Sequence, residues 1–212
     1  MSSLRIRTVV TIAALLILGG RSCADAAVLD FGILGGVTAS RLHISGWGAS
    51  DWHTGAAYGG FLHLELSAAF ALQPSILYAG RGGRYTDRSS YPDGLLAEVH
   101  DARYSVDYLE VPVVLRYRTL PQARHHPVLI AGLFWRTPLS SELSWDGQVV
   151  EDWADVSDFG VVLGAGVESA LGQHRVGVDV VYSRSFGGAG DDEYLTFHSG
   201  IEGLRGDLHI TF

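Results

Sequence analysis

The sequence has no lysine, a single cysteine and few charged residues for its length. All fifteen basic residues are arginines, and they form no basic cluster. A nucleic-acid partner is therefore not expected, because binding phosphates requires a basic face. The lone cysteine, Cys23, excludes an internal disulfide framework. Charged residues make up 18% of the chain, against about 25% in soluble domains, and this deficit favours a protein with a lipid-facing surface.

The chain also lacks an apolar run long enough for a membrane-spanning helix, which needs about 20 residues. The longest run, residues 9–18, follows two arginines and precedes Ala-Asp-Ala at 24–26, which has the small-x-small form of a signal-peptidase site. We therefore predict a cleaved signal peptide at residues 1–26 and one mature domain at 27–212. Cleavage changes the formal net charge from −8 to −10, because three arginines and one aspartate are removed.

The last nine residues alternate between apolar and polar side chains. One parity carries Leu204, Leu208, Ile210 and Phe212, and the other carries Arg205, Asp207, His209 and Thr211. Successive side chains of a strand point to opposite faces, so this pattern predicts a strand with one apolar and one charged face. An outer-membrane barrel turns the apolar face to lipid, whereas a soluble sandwich turns it inward.

Seven earlier segments are also strand-like. The eight predicted strands are residues 28–42, 57–67, 71–85, 103–118, 128–137, 159–171, 174–186 and 195–212. Their connections alternate between short and long, and the long ones are 45–54, 86–102, 138–157 and 187–193. Outer-membrane barrels alternate in this way, with short periplasmic turns and long outer loops. We therefore predict an all-β, antiparallel, up-and-down transmembrane β-barrel of eight strands, with ten strands as the alternative.

The most specific string in the chain is residues 107–118, which read Asp-Tyr-Leu-Glu-Val-Pro-Val-Val-Leu-Arg-Tyr-Arg. Its apolar residues again share one parity, and Glu110 and Arg116 share the other. Pro112 has no N–H to donate to a neighbouring strand, so it predicts a local irregularity in the hydrogen bonding.

This string, together with Gln-Pro-Ser-Ile-Leu-Tyr at 73–78 and Gly-Arg-Gly-Gly at 80–83, resembles the PorT-like outer-membrane β-barrel family. In that family a strand reading Leu-Gln-Pro-Glu-Leu-Leu-Tyr precedes one reading Tyr-Leu-Glu-Ile-Pro-Leu-Leu. The sequence departs from the pattern at Ser75, where the family usually has Glu. The resemblance implies an eight-stranded barrel whose lumen is filled by side chains, and it implies little about activity.

If lipid takes the apolar parity, charged residues of both signs face the lumen. We predict a structural ion-pair network there, formed by Glu65, Arg81, Glu110, Arg116, Glu168, Asp179, Arg205 and Asp207. The same parity holds Asp30, His63, Gln73, Arg175 and His209. An eight-stranded barrel is just wide enough for side chains to fill it, and unpaired buried charges are costly, so these groups should pair. A gate or proton relay at Glu110 and Arg116 is the alternative interpretation.

No catalytic, cofactor-binding or metal-binding residue is predicted. His43 and Ser45 could form a nucleophile and base, but no carboxylate is placed to orient the histidine. His125 and His126 are adjacent and should diverge in an extended turn. The acidic run at residues 191–193 could bind divalent cations that bridge lipopolysaccharide phosphates, although such runs are more often simply solvated.

Aromatic residues follow the expected geometry of a barrel. Those expected near strand ends, where they would form interfacial girdles, are Tyr58, Tyr78, Tyr85, Tyr104, Tyr117, Trp135 and Tyr182. Those expected in the long connections, where exposed aromatics indicate recognition, are Trp47, Trp52, Trp145 and Trp153.

The sequence thus predicts an integral protein of a Gram-negative-type outer membrane, with a structural or envelope-interaction role and no enzymatic activity. The expected partners are membrane lipid and lipopolysaccharide, the barrel-assembly machinery, which would recognise Phe212, and an envelope protein contacted through 138–157. A narrow channel for ions or small solutes is the first alternative. A soluble periplasmic barrel that binds lipid is the second, and it would invert the two faces.

Overall fold

Eight long antiparallel strands make up the fold. The computed structural model describes residues 29–44, 48–89, 98–145, 148–151, 157–186 and 199–212, so the predicted signal peptide lies outside the described residues. The strands are β1 (Leu29–Ile44), β2 (Asp51–Glu65), β3 (Phe70–Ser89), β4 (Glu98–Arg118), β5 (His125–Trp145), β6 (Asp158–Leu171), β7 (His174–Ser185) and β8 (Ser199–Thr211). Two short strands, Gly48–Ala49 and Gln148–Glu151, pair with β1 and β5. In the described part of the chain, no helix is long and apolar enough to span a membrane.

Each strand pairs with its neighbours in sequence, and β8 pairs with β1, so the sheet closes into a barrel. Directly paired residues connect one strand to the next around the barrel, starting and ending on β1. In order they are Leu29, Leu64, Leu72, Leu115, Ala131, Leu163, Tyr182, Leu204 and Ala39. The path therefore returns to β1 ten residues beyond its start. At about 3.3 Å per residue and 4.8 Å between strands, this stagger corresponds to a strand tilt of about 40°. The predicted eight-stranded barrel is confirmed.

The two faces of the barrel differ in polarity, as the alternation predicts. Large apolar side chains cover the outside, where Val37 is 69% and Leu208 is 65% exposed. Charged side chains lie inside, where Glu110 is 1% and Arg116 is 2% exposed. This order is the reverse of that in a soluble protein and matches a barrel whose outer wall contacts lipid.

The outward-facing apolar side chains form a belt around the barrel. On β4 the belt runs from Leu109 to Tyr117, and this length of tilted strand rises about 20 Å, close to the apolar thickness that outer-membrane barrels present. Tyr58 and Tyr78 stack at one edge of the belt with ring centroids 5.0 Å apart. The girdle prediction for Tyr104 is wrong: its ring is 4% exposed inside the barrel, because it shares parity with Glu110 rather than with the outward-facing residues.

The two ends of the barrel differ in their connections. The short-connection end contains the turns at 66–69, 119–124 and 172–173, and Leu29 and Phe212 lie there as well. At this end Phe212 stacks on Phe31, with ring centroids 5.3 Å apart. At the opposite end, which we call the long-connection end, the predicted long loops join β1 to β2, β3 to β4, β5 to β6 and β7 to β8.

Strands β3, β4 and β5 extend further towards the long-connection end than the sequence predicts. Residues 86–89 and 98–102, expected in a loop, continue the β3–β4 hairpin, and 138–145 continue β5. The predicted loop at 138 began at a proline, but the ladder absorbs this residue in a bulge: Tyr108 pairs with Pro138 and Asp107 with Ser140. Trp52, also expected in a loop, lies in β2.

Pro112 interrupts the ladder between β3 and β4, as predicted. Pairing stops after Pro74 and Val113 and resumes at Leu77 and Glu110, with the register unchanged. The missing donor therefore opens a local gap without shifting the strand, so side chains on both sides of Pro112 keep their faces.

The turn between β6 and β7 contains Gly172, whose φ of 64° lies in the left-handed region. Replacing Gly172 with alanine is expected to destabilise the barrel by about 1 kcal/mol, because a Cβ disfavours this conformation. Urea unfolding of the protein in detergent micelles measures the change, and Gln173→Ala in the same turn is the control. Equal stabilities of the two variants would contradict the left-handed conformation of Gly172.

Candidate functional site

The charged lumen is the candidate functional site. The structure places the eight residues of the predicted network inside the barrel, where they form two groups. One of the groups also contains residues that were not predicted to belong to the network. The lower network, towards the short-connection end, contains Asp30, Glu65, Arg116, Arg118, Glu168, Arg175 and Asp179. The upper network contains Arg81, Glu110, Arg205 and Asp207.

The lower network begins at the short-connection end, where it is partly exposed. Arg175 bridges the carboxylates of Asp30, at 2.5 Å, and Glu65. Arg118 continues the chain, with its Nη1 3.1 Å from Glu65 and its Nε 3.2 Å from Glu168. The Nη2 of Arg118 also lies 2.9 Å from the Nε2 of His63, which accepts the hydrogen bond because arginine can only donate.

Arg116 closes the lower network deep in the lumen. Its Nε donates to Glu168 at 2.9 Å, and its Nη1 and Nη2 donate to the two oxygens of Asp179 at 2.7 and 3.1 Å. This bidentate contact is the geometry in which arginine binds a carboxylate most strongly. The lower network therefore alternates in sign across four carboxylates and three arginines, and it spans five of the eight strands.

The upper network also alternates in sign. The Nη2 of Arg81 lies 2.8 Å from Glu110, and the Nη1 of Arg205 lies 3.2 Å from the other oxygen of that carboxylate. Arg205 then donates through its Nε to Asp207 at 2.7 Å. All four side chains are at least nine-tenths buried, so this pairing is what makes their burial tolerable.

The two networks meet at a pair of carboxylates. Asp179 and Asp207 are direct partners across β7 and β8, so their side chains lie on the same face. Like charges opposite each other are destabilising, and each of these carboxylates has its own arginine, Arg116 and Arg205. Loss of either arginine would therefore leave an uncompensated carboxylate beside another one.

Apolar side chains fill much of the remaining lumen. One cluster contains Val114, Val128, Ile130, Phe134, Val162 and Val181, and a second contains Leu34, Phe61 and Leu77. Beyond the upper network, towards the long-connection end, lies a third, which we call the apolar cap: Leu42, Tyr104, Val106, Tyr108 and Ile201. The sequence predicted a lumen filled by side chains but named only its polar members, so these apolar clusters were not listed, although their parity is readable from the sequence.

Sequence reasoning also missed Arg118 and a third charged group at the long-connection end. Arg136 contacts Asp158, and its guanidinium lies 4.7 Å from the ring centroid of Tyr108 and 5.0 Å from that of Phe134. Arg118 has the parity of Arg116 and could have been found in that way. Asp158 lies immediately before the predicted start of its strand, so its face was not assigned.

The candidate catalytic and metal residues are not brought together in the described part of the protein. Ser45 and the side chain of His43 lie outside it, as do residues 191–193 and the side chains of Trp47, Trp145 and Trp153. The Nδ1 of His125 lies 2.7 Å from the Ser169 hydroxyl, whereas that of His126 lies 2.9 Å from the Leu120 carbonyl. The described residues contain no group of three or more potential metal ligands.

Residues 24–189 match the family model described as the outer membrane protein beta-barrel domain. The chain belongs to this family. Membership places the protein in an outer membrane, with the apolar belt against lipid and the charged networks in the lumen. No sequence match was found among curated proteins.

Several solved structures of outer-membrane proteins are similar to this barrel. Neisserial surface protein A is 14% identical, with a TM-score of 0.49, covering 86% of this chain and 97% of that one. The attachment invasion locus protein Ail of Yersinia pestis is 13% identical, with a TM-score of 0.46 and coverages of 86% and 98%. OprG of Pseudomonas aeruginosa is 12% identical, with a TM-score of 0.44 and coverages of 88% and 97%.

Proposed function

We propose that the protein is a closed, non-conducting barrel that presents its long connections at the surface of a Gram-negative-type outer membrane for contact with an envelope partner. Membership of the PorT-like group belongs to this proposal and is supported by the strings on β3 and β4. Export after cleavage behind residue 26 and recognition of Phe212 by the assembly machinery also belong to it. No enzymatic activity is expected.

The observation that carries the proposal is the packing of the lumen. The lower network crosses it in an unbroken series of ion pairs, and the upper network and the apolar cap follow along the axis. A channel requires a hydrated path, and a lipid carrier requires an apolar interior. The charged interior and apolar exterior of this barrel are the reverse of what a lipid carrier needs.

Two exposed apolar side chains support the contact role. Leu139 and Val149 lie beyond the belt on β5 and its short partner strand, and they are 57% and 56% exposed. Both are large apolar groups exposed outside the lipid-facing belt, where a protein partner can contact them. Photo-crosslinking from position 149 in cells should give a discrete adduct with an envelope protein, and the same probe at Gln173, at the opposite end, should not. Absence of an adduct at 149 would contradict the contact role.

Planar-bilayer recording tests whether the barrel is closed. We expect no stepwise conductance from the purified protein, because ion pairs and apolar side chains occupy the lumen. A faster-migrating unboiled band on SDS gels of the same preparation shows that the barrel is folded. Regular single-channel steps from folded protein would reject the closed barrel and favour the channel.

A further inference from the structure

A polar patch interrupts the outer wall of the barrel at the long-connection end. It consists of Arg41, Trp52, Tyr182, Arg184 and Glu202, which we call the outer patch. Glu202 pairs directly with Arg41 on one side and with Arg184 on the other, so the patch spans β7, β8, β1 and β2. All five residues share the outward parity of the apolar belt.

Contacts within the outer patch hold one guanidinium in a fixed position. The Nε of Arg41 lies 2.5 Å from one oxygen of Glu202, and the Tyr182 hydroxyl donates to the other at 2.9 Å. The guanidinium of Arg41 also lies 5.0 Å from the ring centroid of Trp52. Glu202 contacts only the Nε, so the two terminal amino groups of Arg41 are not engaged by this carboxylate and can bind another anion.

The position of the outer patch identifies the kind of anion. On β1, β7 and β8 the outward residues towards the short-connection end are apolar, and Val37, Val180 and Leu204 are 69%, 58% and 44% exposed. The patch therefore lies where the belt ends, at the level of lipid head groups, and Trp52 and Tyr182 are of the residue types enriched at that level. Acyl chains beside the belt place a lipid phosphate next to Arg41.

We propose that the outer patch binds a phosphate group of an outer-leaflet glycolipid of the lipid A type. Arg41 and Arg184 would donate to its oxygens, since arginine binds phosphate through paired N–H donors. Two arginines against one carboxylate leave a net positive charge for this anion. Gly35 and Gly206 face outward in the belt next to the patch, and no atom lies within 4 Å of the position that a Cβ of either would take. The absence of side chains there leaves space for an acyl chain against the barrel wall.

Native mass spectrometry of the full-length mature protein in detergent tests the proposal by titration with lipid A. Arg41→Gln and Arg184→Gln are each expected to weaken binding about tenfold, because each removes a charge-assisted hydrogen bond. Arg124→Gln is the matched control, since Arg124 is an exposed arginine in a short connection at the opposite end. Its binding should equal that of the wild type. Heat-modifiable migration on gels verifies that each variant is folded.

Further arms separate the phosphate from its alternatives. Dephosphorylated lipid A should bind about tenfold more weakly than lipid A, and inorganic phosphate should not compete, because it lacks the acyl chains that contact the belt. Unchanged affinity in both arginine variants would show that Arg41 and Glu202 form only a structural pair, and would overturn the proposal. Equal binding of the dephosphorylated lipid, or competition by free phosphate, would also overturn it.

Discussion

Replacing Arg116 with methionine is expected to lower the free energy of unfolding by about 3–5 kcal/mol. The substitution keeps most of the side-chain volume but leaves Asp179 without its bidentate partner and removes one of the arginines that contact Glu168. Asp179 also faces Asp207 across the strand pair, so its uncompensated charge would be repelled as well as desolvated. Urea unfolding in phosphatidylcholine vesicles, followed by tryptophan fluorescence, measures the loss.

Arg41→Met is the matched control for this prediction. Arg41 also pairs with a carboxylate, but its side chain is 37% exposed, and pairs of this kind contribute about 0–1 kcal/mol. The comparison therefore isolates the effect of burial, provided that lipid A is absent from the vesicles. A loss below about 1 kcal/mol for Arg116→Met would show that the lower network is not a stabilising element.

A double-mutant cycle separates the ion pair from the rest of the network. In Arg116→Met/Asp179→Asn, the carboxylate that would be left uncompensated is itself neutral. We therefore expect the double variant to be more stable than Arg116→Met alone, although it carries one more substitution. Because the two side chains are in contact at 2.7 Å, we do not expect their losses to add. Additive losses would show that the two side chains act independently.

The period-two alternation of the sequence was sufficient to assign faces. Glu110 and Arg116 lie on the lumen side of β4 because every outward neighbour between them is apolar. The same rule applied to β8 places Arg205 and Asp207 inside. These assignments depend only on local geometry, and a strand in a barrel obeys the same geometry as any other strand.

The partners within the lumen could not be predicted in this way. Arg116 contacts Asp179, 63 residues later in the chain, and this contact depends on the ten-residue stagger that accumulates around the barrel. The stagger in turn depends on the register of each strand pair, which the lengths of the turns help to set. A change of one residue in the register of a strand pair would bring different charges together. The sequence therefore predicted which charged residues face the lumen, but not which of them form ion pairs.

Strand ends were the other feature that could not be predicted. The polar residues that follow Thr137 read as a loop, yet β5 continues to Trp145 because hairpin hydrogen bonds persist beyond the apolar belt. Beyond the apolar belt the outward face is polar, so the alternation between apolar and polar residues weakens. For this reason Trp52 was predicted to lie in a loop and Asp158 was left unassigned, as each lies where a strand leaves the belt.

Gly36→Ala and Gly35→Ala, at adjacent positions of β1, are expected to have opposite outcomes. A Cβ at Gly36 would lie 2.1 Å from the carbonyl oxygen of Gly206 and 2.7 Å from Asp207, at the seam where β1 meets β8. Because a backbone atom cannot move aside as a flexible side chain does, the overlap would force the closing strands apart. We expect a loss of about 1–3 kcal/mol or more, with a reduced fraction of the heat-modifiable band.

A Cβ at Gly35 would meet no atom within 4 Å, because this residue faces outward into the belt. Gly35→Ala should therefore leave the barrel as stable as the wild type, or slightly more stable, since alanine has less conformational freedom than glycine in the unfolded chain. Urea unfolding of both variants under the same conditions measures the difference. Similar losses for the two variants would mean that glycine is required along β1 for flexibility. A loss at Gly36 alone would show that the seam between β1 and β8 closes only because β1 has no side chain at this position.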